Sequence, residues 1–366
     1  MRMKKPRKGV ALALSGGGFR ATLFHAGALI RLNELGLLKQ INRFVSVSGG
    51  AIALGCLAMN WPRLDWKDGR ATNLKEVFVE PLQGLCRRKF DIPAILEGVL
   101  KPSRPPSEVL RRAYTKHIFG DLQLDQLPSR PMFLFQATNL ATGRAFRFTR
   151  DYVADYLIGS APSTGISLAT AVAASTAFPP VLSPLYLKID AAGFKKLPGS
   201  LLHDREEFRK NLKLTDGGVY DNLALEPAWD SETVLVSDAG APFEHSARLN
   251  MNWYRQYLRA LDIASTQARA LRKRWLVDQF ASGTRKGAYW GITTDISRYP
   301  VKSVKVNPGI QEKIYTIRTR LNCFSSSEQG QLINLGYALS DAACRSHMQP
   351  LPEVPFIFPE TAHSIV

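Results

Sequence analysis

The part of the sequence that most constrains the fold is residues 10–50, where two apolar runs each end in a turn of small residues. The first run, Val10–Leu14, meets three glycines, and a helical pattern follows over Phe19–Leu35. The second run, Phe44–Val47, meets Ser48 and two glycines, and another apolar helical pattern begins there. Strands that alternate with helices through short turns are typical of a parallel α/β unit. The sequence therefore predicts a βαβα unit here.

Both turns have the chemistry of a site that handles developing negative charge. The glycines of Gly16–Gly18 let the backbone approach a ligand closely, and they leave N–H groups at a helix start, where the dipole favours anions. Ser48 lies between a strand and a helix among small residues, which is the pattern of a nucleophile elbow. The usual elbow is G-x-S-x-G, and here Ser46 replaces the first glycine while Gly50 keeps the second.

Together with a third motif, these turns resemble the patatin-like phospholipase family. The family carries a G-G-G-x-R turn, which Gly16–Arg20 matches, and an elbow about thirty residues later, which Ser46–Gly50 matches apart from its first position. Its distant D-G-[AG] motif is matched by Asp216–Gly218. The resemblance covers about residues 10–222, and Leu332–Tyr337 is similar to bacterial members.

The resemblance implies an α/β fold of three layers, with a largely parallel central sheet between helices. It also implies a catalytic dyad at the strand ends, in which Ser48 attacks an ester carbonyl and Asp216 is the base. Desolvation of Asp216 would raise its pKa toward neutrality and make it a better base. The other implied residues are the oxyanion turn (Gly16, Gly17, Gly18, and Arg20, which adds charge or braces the loop), the elbow neighbours (Ser46 and Gly50) and the glycines after the base (Gly217 and Gly218). No metal and no cofactor is expected.

A Ser-His-Asp α/β-hydrolase is one alternative. His245, His347 and His363 all follow Asp216 in the sequence, as a triad histidine would. That fold places its nucleophile after several strands, whereas Ser48 follows only the second, and none of the three histidines has a distinctive context. The dyad is therefore preferred.

Two further alternatives concern binding rather than catalysis. Gly16, Gly18 and Ala21 fit the dinucleotide fingerprint, but that reading needs a carboxylate at the end of the second strand, where Ser48 stands instead. A non-enzymatic membrane- or nucleotide-binding protein remains open, although the joint retention of Ser48 and Asp216 argues against a decayed site.

The domain organisation predicted from the pattern is a single domain over residues 8–348. A helical insertion at about 62–126 is interpreted either as a lid or as an ordinary surface excursion, and a basic helical segment occupies about 248–280. Residues 349–366 are predicted to be a C-terminal tail.

The chain carries a net charge of +17 and a pI near 9.8, which favours anionic partners. We expect a phospholipid substrate and peripheral membrane contact, with the basic and aromatic segments Cys86–Phe90 and Arg248–Trp275 at the surface. Nucleic acid is disfavoured, and a nucleotide activator stays open. Scattered cysteines and the lack of an apolar run long enough to span a bilayer predict a cytoplasmic protein that meets membranes from the side.

Overall fold

The computed structural model describes residues 6–90, 105–249, 252–301, 304–348 and 350–366. The strands, in chain order, are β1 (Arg7–Leu14), β2 (Ile41–Val47), β3 (Trp66–Lys67), β4 (Arg70–Ala71), β5 (Met132–Asn139), β6 (Arg144–Phe148), β7 (Tyr152–Asp155), β8 (Gly159–Pro162), β9 (Leu185–Lys188), β10 (Asn211–Asp216), β11 (Ser231–Asp238) and β12 (Lys286–Gly291). The helices are α1 (Gly18–Glu34), α2 (Gly49–Asn60), α3 (Glu80–Cys86), α4 (Pro106–Tyr114), α5 (Leu168–Ser175), α6 (Glu207–Lys210), α7 (Gly218–Asp221), α8 (Trp253–Ala281), α9 (Pro308–Tyr315) and α10 (Ser326–His347).

A ten-stranded mixed sheet forms the centre of the described part of the chain. Its order is β12-β11-β1-β2-β5-β6-β7-β8, and β10 pairs with β5 and β9. The five strands from β12 to β5 are parallel to one another, and the remaining pairings are antiparallel. Because the carboxyl ends of parallel strands share one edge, the turns that follow β1, β2 and β11 lie side by side.

Helices cover both faces of the sheet, because alternate residues of each buried strand point to opposite sides. On β1, Leu12 and Leu14 join the larger core cluster, which also contains residues of α1, α2 and α10. Ala11 and Ala13 face the other way and join a smaller cluster with Leu276 of α8. The prediction of a three-layer α/β fold is therefore confirmed.

Helices α1 and α10 pack against each other unusually closely. A Cβ atom at Gly27 of α1 would collide with the carbonyl oxygen of Ile333, and one at Gly336 would collide with that of Phe24. Two glycines thus let the helix backbones touch, and they fix α1, whose first turn belongs to the candidate site, against the body of the protein.

Residues 350–366 follow α10 and pack back onto the domain. The rings of Phe356 and Phe358 lie 5.1 and 6.4 Å from the ring of Tyr337, measured between centroids. Ile365 is fully buried, and its carbonyl oxygen accepts a hydrogen bond from the Asn307 N–H at 2.9 Å. This segment therefore forms part of the core.

The region 62–126 is described in part, since residues 91–104 lie outside the described residues. Its described part contains the β3–β4 hairpin, α3 and α4. Phe90 is only 4% exposed, and its ring packs edge-on against Phe19 of α1 at 5.9 Å. The expectation that Phe90, the aromatic residue of Cys86–Phe90, lies at the surface was therefore wrong, because its ring helps to fill the core beside α1.

Helix α8, predicted over Arg248–Phe280, is buried only near its end. Leu276 is fully buried, whereas Trp253 at the start of the helix is 80% exposed. Among the helices in the described ranges, none is both long enough and apolar enough to cross a bilayer.

The direction of α8 follows from its contacts. Thr266 and Lys273 line a cavity with Asp238 at the carboxyl end of β11, and Phe280 lies close to Gly287 at the start of β12. The helix therefore runs opposite to these strands. At 1.5 Å per residue, the part of the helix before Thr266 is roughly 20 Å long, and it continues past the carboxyl edge of the sheet.

Candidate active site

The turn after β2 holds Ser48 in a strained backbone conformation. Its φ is 52° and its ψ is −121°, in a region that residues with a side chain rarely adopt. The side chain is partly exposed, as the sharp strand-to-helix turn of a nucleophile elbow requires.

Ser175 holds this turn in place from the end of α5. Its Oγ accepts a hydrogen bond from the Ser48 N–H at 2.9 Å and donates to the carbonyl oxygen of Gln136 at 2.6 Å. The Ser175 hydroxyl is fully buried, so it is not available to a substrate. This contact could not be predicted from the sequence, because no local pattern links residues 127 positions apart.

The glycine turn after β1 presents free backbone donors beside the elbow. Gly17 and Gly18 have φ values of 141° and 56°, which explains why glycine occupies both positions. Within the described residues, their N–H groups have no hydrogen-bond partner. Gly16 differs, because its N–H donates to the carbonyl oxygen of Asn222 at 3.1 Å.

Arg20 is buried and braces the glycine turn. Its Nη1 donates to the carbonyl oxygens of Tyr315 and Ile317 at 2.9 Å each, and its Nη2 donates to that of Ala239 at 2.8 Å. Burial lowers the pKa of its guanidinium to about 10, so it stays charged at neutral pH. The guanidinium therefore ties α1 to the loops after α9 and β11.

Asp216 stands at the end of β10 with its carboxyl group almost fully buried, at 2% exposure. Its Oδ1 accepts a hydrogen bond from the Gly218 N–H at 2.7 Å, whereas no described residue forms a well-aligned hydrogen bond to Oδ2. Burial raises the pKa of this carboxyl to about 6, while the nearby Ser48 hydroxyl and the Gly218 N–H act to lower it. Ser48 is thus close enough to influence the pKa of the carboxyl, although the two side chains do not form a well-aligned hydrogen bond.

Asn222 joins the first motif to the third. A Cβ atom at Gly16 would collide with its Oδ1, and one at Gly218 would lie 2.6 Å from the same oxygen. Glycine at both positions leaves room for this side chain where it lies. No local pattern indicates this role, because Asn222 lies six positions after Asp216 in an otherwise ordinary turn.

The remaining motif residues support these turns through hydrogen bonds. The Ser46 hydroxyl donates to the carbonyl oxygen of Leu134 at 3.3 Å. The Gly50 N–H donates to the carbonyl oxygen of Ser15 at 3.2 Å, and the Gly217 N–H donates to that of Ser175 at 3.3 Å. The strand ends that carry the three motifs are thus linked to one another.

His25 lies near these turns but is buried. Its Nε2 is 2.9 Å from the carbonyl oxygen of Ser15, so Nε2 carries the proton and Nδ1 accepts from the Ser237 hydroxyl at 2.7 Å. Burial lowers the pKa of this imidazole to about 4, which keeps it neutral. It links the turn after β1 to the last residues of β11.

The three histidines considered for a triad lie elsewhere. The ring of His245 packs against Phe243 in an exposed loop, and that of His347 packs against Tyr299. His363 packs near Gly330 of α10. Within the described residues, no histidine forms a hydrogen bond with Ser48 or Asp216.

Exposed apolar side chains follow Asp216 and its hydrogen-bond partner Ala177 in the chain. The Asp216 N–H donates to the carbonyl oxygen of Ala177 at 2.9 Å, and the next residue, Phe178, is 63% exposed. Val181 and Val219 are also exposed close by in the chain. We call Phe178, Val181 and Val219 the apolar rim.

Comparisons with known proteins agree with this geometry. The family model described as patatin-like phospholipase matches residues 12–229. Among curated proteins, none matches the chain by sequence.

Similar solved structures include human GIVD cytosolic phospholipase A2. Its TM-score is 0.53 at 13% identity, over 93% of this chain and 59% of that one. The same human enzyme in complex with methyl gamma-linolenyl fluorophosphonate gives a TM-score of 0.52 at 13% identity, over 92% and 57% of the two chains. The chain therefore spans somewhat more than half the length of these structures and shares their fold.

Proposed function

Since the chain belongs to the patatin-like phospholipase family, we propose that it hydrolyses ester-linked fatty acids of phospholipids with Ser48 as the nucleophile and Asp216 as the base. The observation that carries the proposal is the buried Asp216 carboxyl, whose pKa is raised to about 6 beside the strained Ser48 turn. An ordinary surface aspartate is a far weaker base.

The reaction would proceed through an acyl-enzyme. Asp216 Oδ2 takes the hydroxyl proton as Ser48 Oγ attacks the carbonyl carbon, and the N–H groups of Gly17 and Gly18 bind the developing oxyanion. The tetrahedral intermediate collapses, the alcohol of the glycerol backbone leaves with the proton from Asp216, and the acyl group stays on Ser48. Water, deprotonated by the same carboxylate, then releases the fatty acid and restores the serine.

Mass spectrometry of lipids tests the proposed activity. Phospholipid vesicles incubated with the protein should yield free fatty acid and lysophospholipid in equal amounts, and the masses identify the acyl position. A heat-denatured sample serves as the control. Production of a free headgroup or of diacylglycerol would show a different bond specificity and contradict the proposal.

The raised pKa of Asp216 predicts a pH dependence. Only the ionised carboxylate accepts the serine proton, so activity is lost as pH falls through the pKa of about 6 and is retained above it. We expect kcat/KM for a soluble ester to fall about tenfold per pH unit below that midpoint. An ordinary aspartate would place the midpoint near 4.

The temperature dependence of the midpoint of the pH–activity profile distinguishes a carboxyl base from an imidazole base. Carboxyl ionisation has an enthalpy close to zero, whereas imidazole ionisation absorbs considerable heat. The midpoint should therefore stay constant between low and moderate temperatures. A midpoint that falls clearly on warming would point to a histidine base instead.

We also propose that the protein approaches anionic membranes with the carboxyl edge of its sheet. The apolar rim lies at this edge, and the first half of α8 extends beyond it. Exposed apolar residues follow a helical spacing along that half, at Trp253, Tyr254, Tyr257, Leu258 and Leu261. Aromatic side chains at this position are suited to the headgroup region, and the net charge of +17 favours an anionic surface.

Arg272 does not belong to this exposed surface. It lies 3.5 Å from the buried carboxylate of Asp221 and donates to the carbonyl oxygen of Tyr220 at 3.1 Å, one turn after the candidate base. Charge reversal at this position would therefore damage the site itself, so a test of membrane contact must use residues in the first half of α8.

The double variant Trp253→Ser/Tyr257→Ser tests this contact. We expect its partitioning to anionic vesicles to fall about tenfold or more, because each ring loses apolar burial in the interface. Binding should also weaken as salt rises. Ile357→Ser, at a side chain 66% exposed on the C-terminal segment, is the matched control. Sedimentation with vesicles measures the effect, and equal loss in both variants would contradict the assignment.

A further inference from the structure

A cavity of about 160 Å³ lies outside the candidate active site, between the carboxyl ends of β11 and β12 and the middle of α8. The side chains that matter for its chemistry are those of Asp238, Thr266, Arg269, Lys273, Tyr289 and Thr293. The cavity does not contain Ser48 or Asp216, and the proposed reaction uses none of its side chains.

The carboxylate of Asp238 is already satisfied. Its Oδ1 accepts from the Gly240 N–H at 2.9 Å, and its Oδ2 accepts from the Tyr289 hydroxyl at 2.8 Å. These contacts make Asp238 a structural support for this cavity.

The cationic side chains of the cavity have fewer hydrogen-bond partners than the Asp238 carboxylate. The Lys273 ammonium lies 4.5 Å from the centre of the Tyr289 ring and has no hydrogen-bond partner among the described residues. Arg269 donates from Nη2 to the carbonyl oxygen of Ala241 at 2.7 Å. The hydroxyl groups of Thr266 and Thr293 form no hydrogen bond within the described ranges.

Positive charge is in excess around the cavity. Burial lowers the pKa of Lys273, Asp238 opposes that shift, and the positive charges of Arg269 and Arg298 add to it. Arg20 also interacts with both Asp238 and Arg269 through charge. One carboxylate thus faces several cations, and a bound anion would relieve their repulsion.

We propose that this cavity binds a phosphate group, held by Lys273 and Arg269, with the hydroxyl groups of Thr266 and Thr293 as further donors. A phosphate offers several acceptor oxygens, and such charge-assisted hydrogen bonds are stronger than neutral ones. The volume is sufficient for a phosphate but too small to enclose a whole lipid.

The cavity lies next to the oxyanion turn. A Cβ atom at Gly17 would be 2.9 Å from the carbonyl oxygen of Ala239, and Ala239 stands between Asp238 and Gly240 of the cavity wall. Because β1 and β11 are neighbours, the two sites are roughly 5 to 10 Å apart. In a phospholipid, a similar distance separates the ester carbonyl from the phosphate, which suits a lipid headgroup. A free phosphate is the other source of the same chemical group. The headgroup source rests on the proposed function.

Calorimetric titration tests the cavity without depending on turnover. Ser48→Ala protein is titrated with dihexanoyl phosphatidylglycerol below its micelle concentration, with dihexanoylglycerol, and with inorganic phosphate and pyrophosphate. The same titrations are repeated with two further proteins that also carry Ser48→Ala. One adds the double change Arg269→Gln/Lys273→Gln, and the other adds Arg274→Gln as the control. Arg274 is exposed on the same helix, and among the described residues its guanidinium bonds only to its own helix, at the carbonyl oxygen of Ala270. Thermal melting verifies that each variant is folded.

If the phosphate belongs to a lipid, the double variant lowers the affinity for phosphatidylglycerol at least about tenfold and leaves that for dihexanoylglycerol unchanged. If it is a free phosphate, affinity for phosphate or pyrophosphate falls by the same factor while lipid affinity does not. In both cases Arg274→Gln has less than about a twofold effect. The proposal is overturned if no phosphate-containing ligand loses more affinity in the double variant than in Arg274→Gln. Absence of hydrolysis by the wild-type protein would instead reject the proposed function and leave this binding result standing.

Discussion

Ser48→Ala is expected to lower kcat for a soluble ester by about 10⁴-fold or more, because the acyl-enzyme cannot form without the hydroxyl. The change should leave the fold intact. The serine occupies a turn whose φ of 52° is tolerated by either residue at similar cost, and its N–H still donates to Ser175. Steady-state kinetics with thermal melting measure both effects.

Ser46→Ala is the matched control for this experiment. Ser46 lies two residues earlier in the same elbow, and within the described ranges its buried hydroxyl donates only to the carbonyl oxygen of Leu134. Its loss should cost about 1 kcal/mol of stability and leave activity within roughly an order of magnitude. An effect of Ser46→Ala as large as that of Ser48→Ala would mean that the elbow geometry, rather than the Ser48 hydroxyl, limits the reaction.

Asp216→Asn is expected to lower kcat by at least about 10²-fold, the lower end for removing a general base. The amide has the same shape, and its oxygen can still accept the hydrogen bond from Gly218. What it lacks is the ability to take the proton of Ser48. The low-pH limb of the activity profile should disappear with the carboxyl.

Asp238→Asn serves as the control for the base, because Asp238 also ends a buried strand of the same sheet. Its oxygens are engaged by Gly240 and Tyr289, so the change should reduce activity on a soluble ester far less than Asp216→Asn. Alanine variants of His245 and His347 should likewise retain activity. A loss at either histidine as large as that at Asp216 would replace the dyad with a triad.

The sequence was sufficient to predict the first half of the fold because its signals there are local. Each of β1 and β2 is an apolar run that ends in small residues, and each is followed by an apolar helix. The antiparallel β7–β8 hairpin and the edge strand β12 were harder to predict, because they are short or lie at the edge of the sheet. Their pairing depends on contacts between distant segments.

The supports of the candidate site were invisible to sequence reasoning for the same reason. Ser175 reaches Ser48 across 127 positions, and Asn222 contacts Gly16 only because β1 and β10 belong to one sheet. The surface position of α8 was predicted from its basic and aromatic composition, although aromatic residues such as Trp253 at helical spacing more often mark a buried face. Only the packed structure shows that this half of the helix extends beyond the sheet.

Covalent labelling with a fluorophosphonate tests whether Ser48 is an activated nucleophile, because the probe reacts with an activated serine and peptide mapping then locates it. We expect a single adduct on Ser48 in the native protein, none in Ser48→Ala, and labelling slowed at least about 10²-fold in Asp216→Asn. Labelling of Ser175 or another serine, or labelling of Ser48 at the native rate without the Asp216 carboxyl, would contradict the assignment of Ser48 as a nucleophile activated by Asp216.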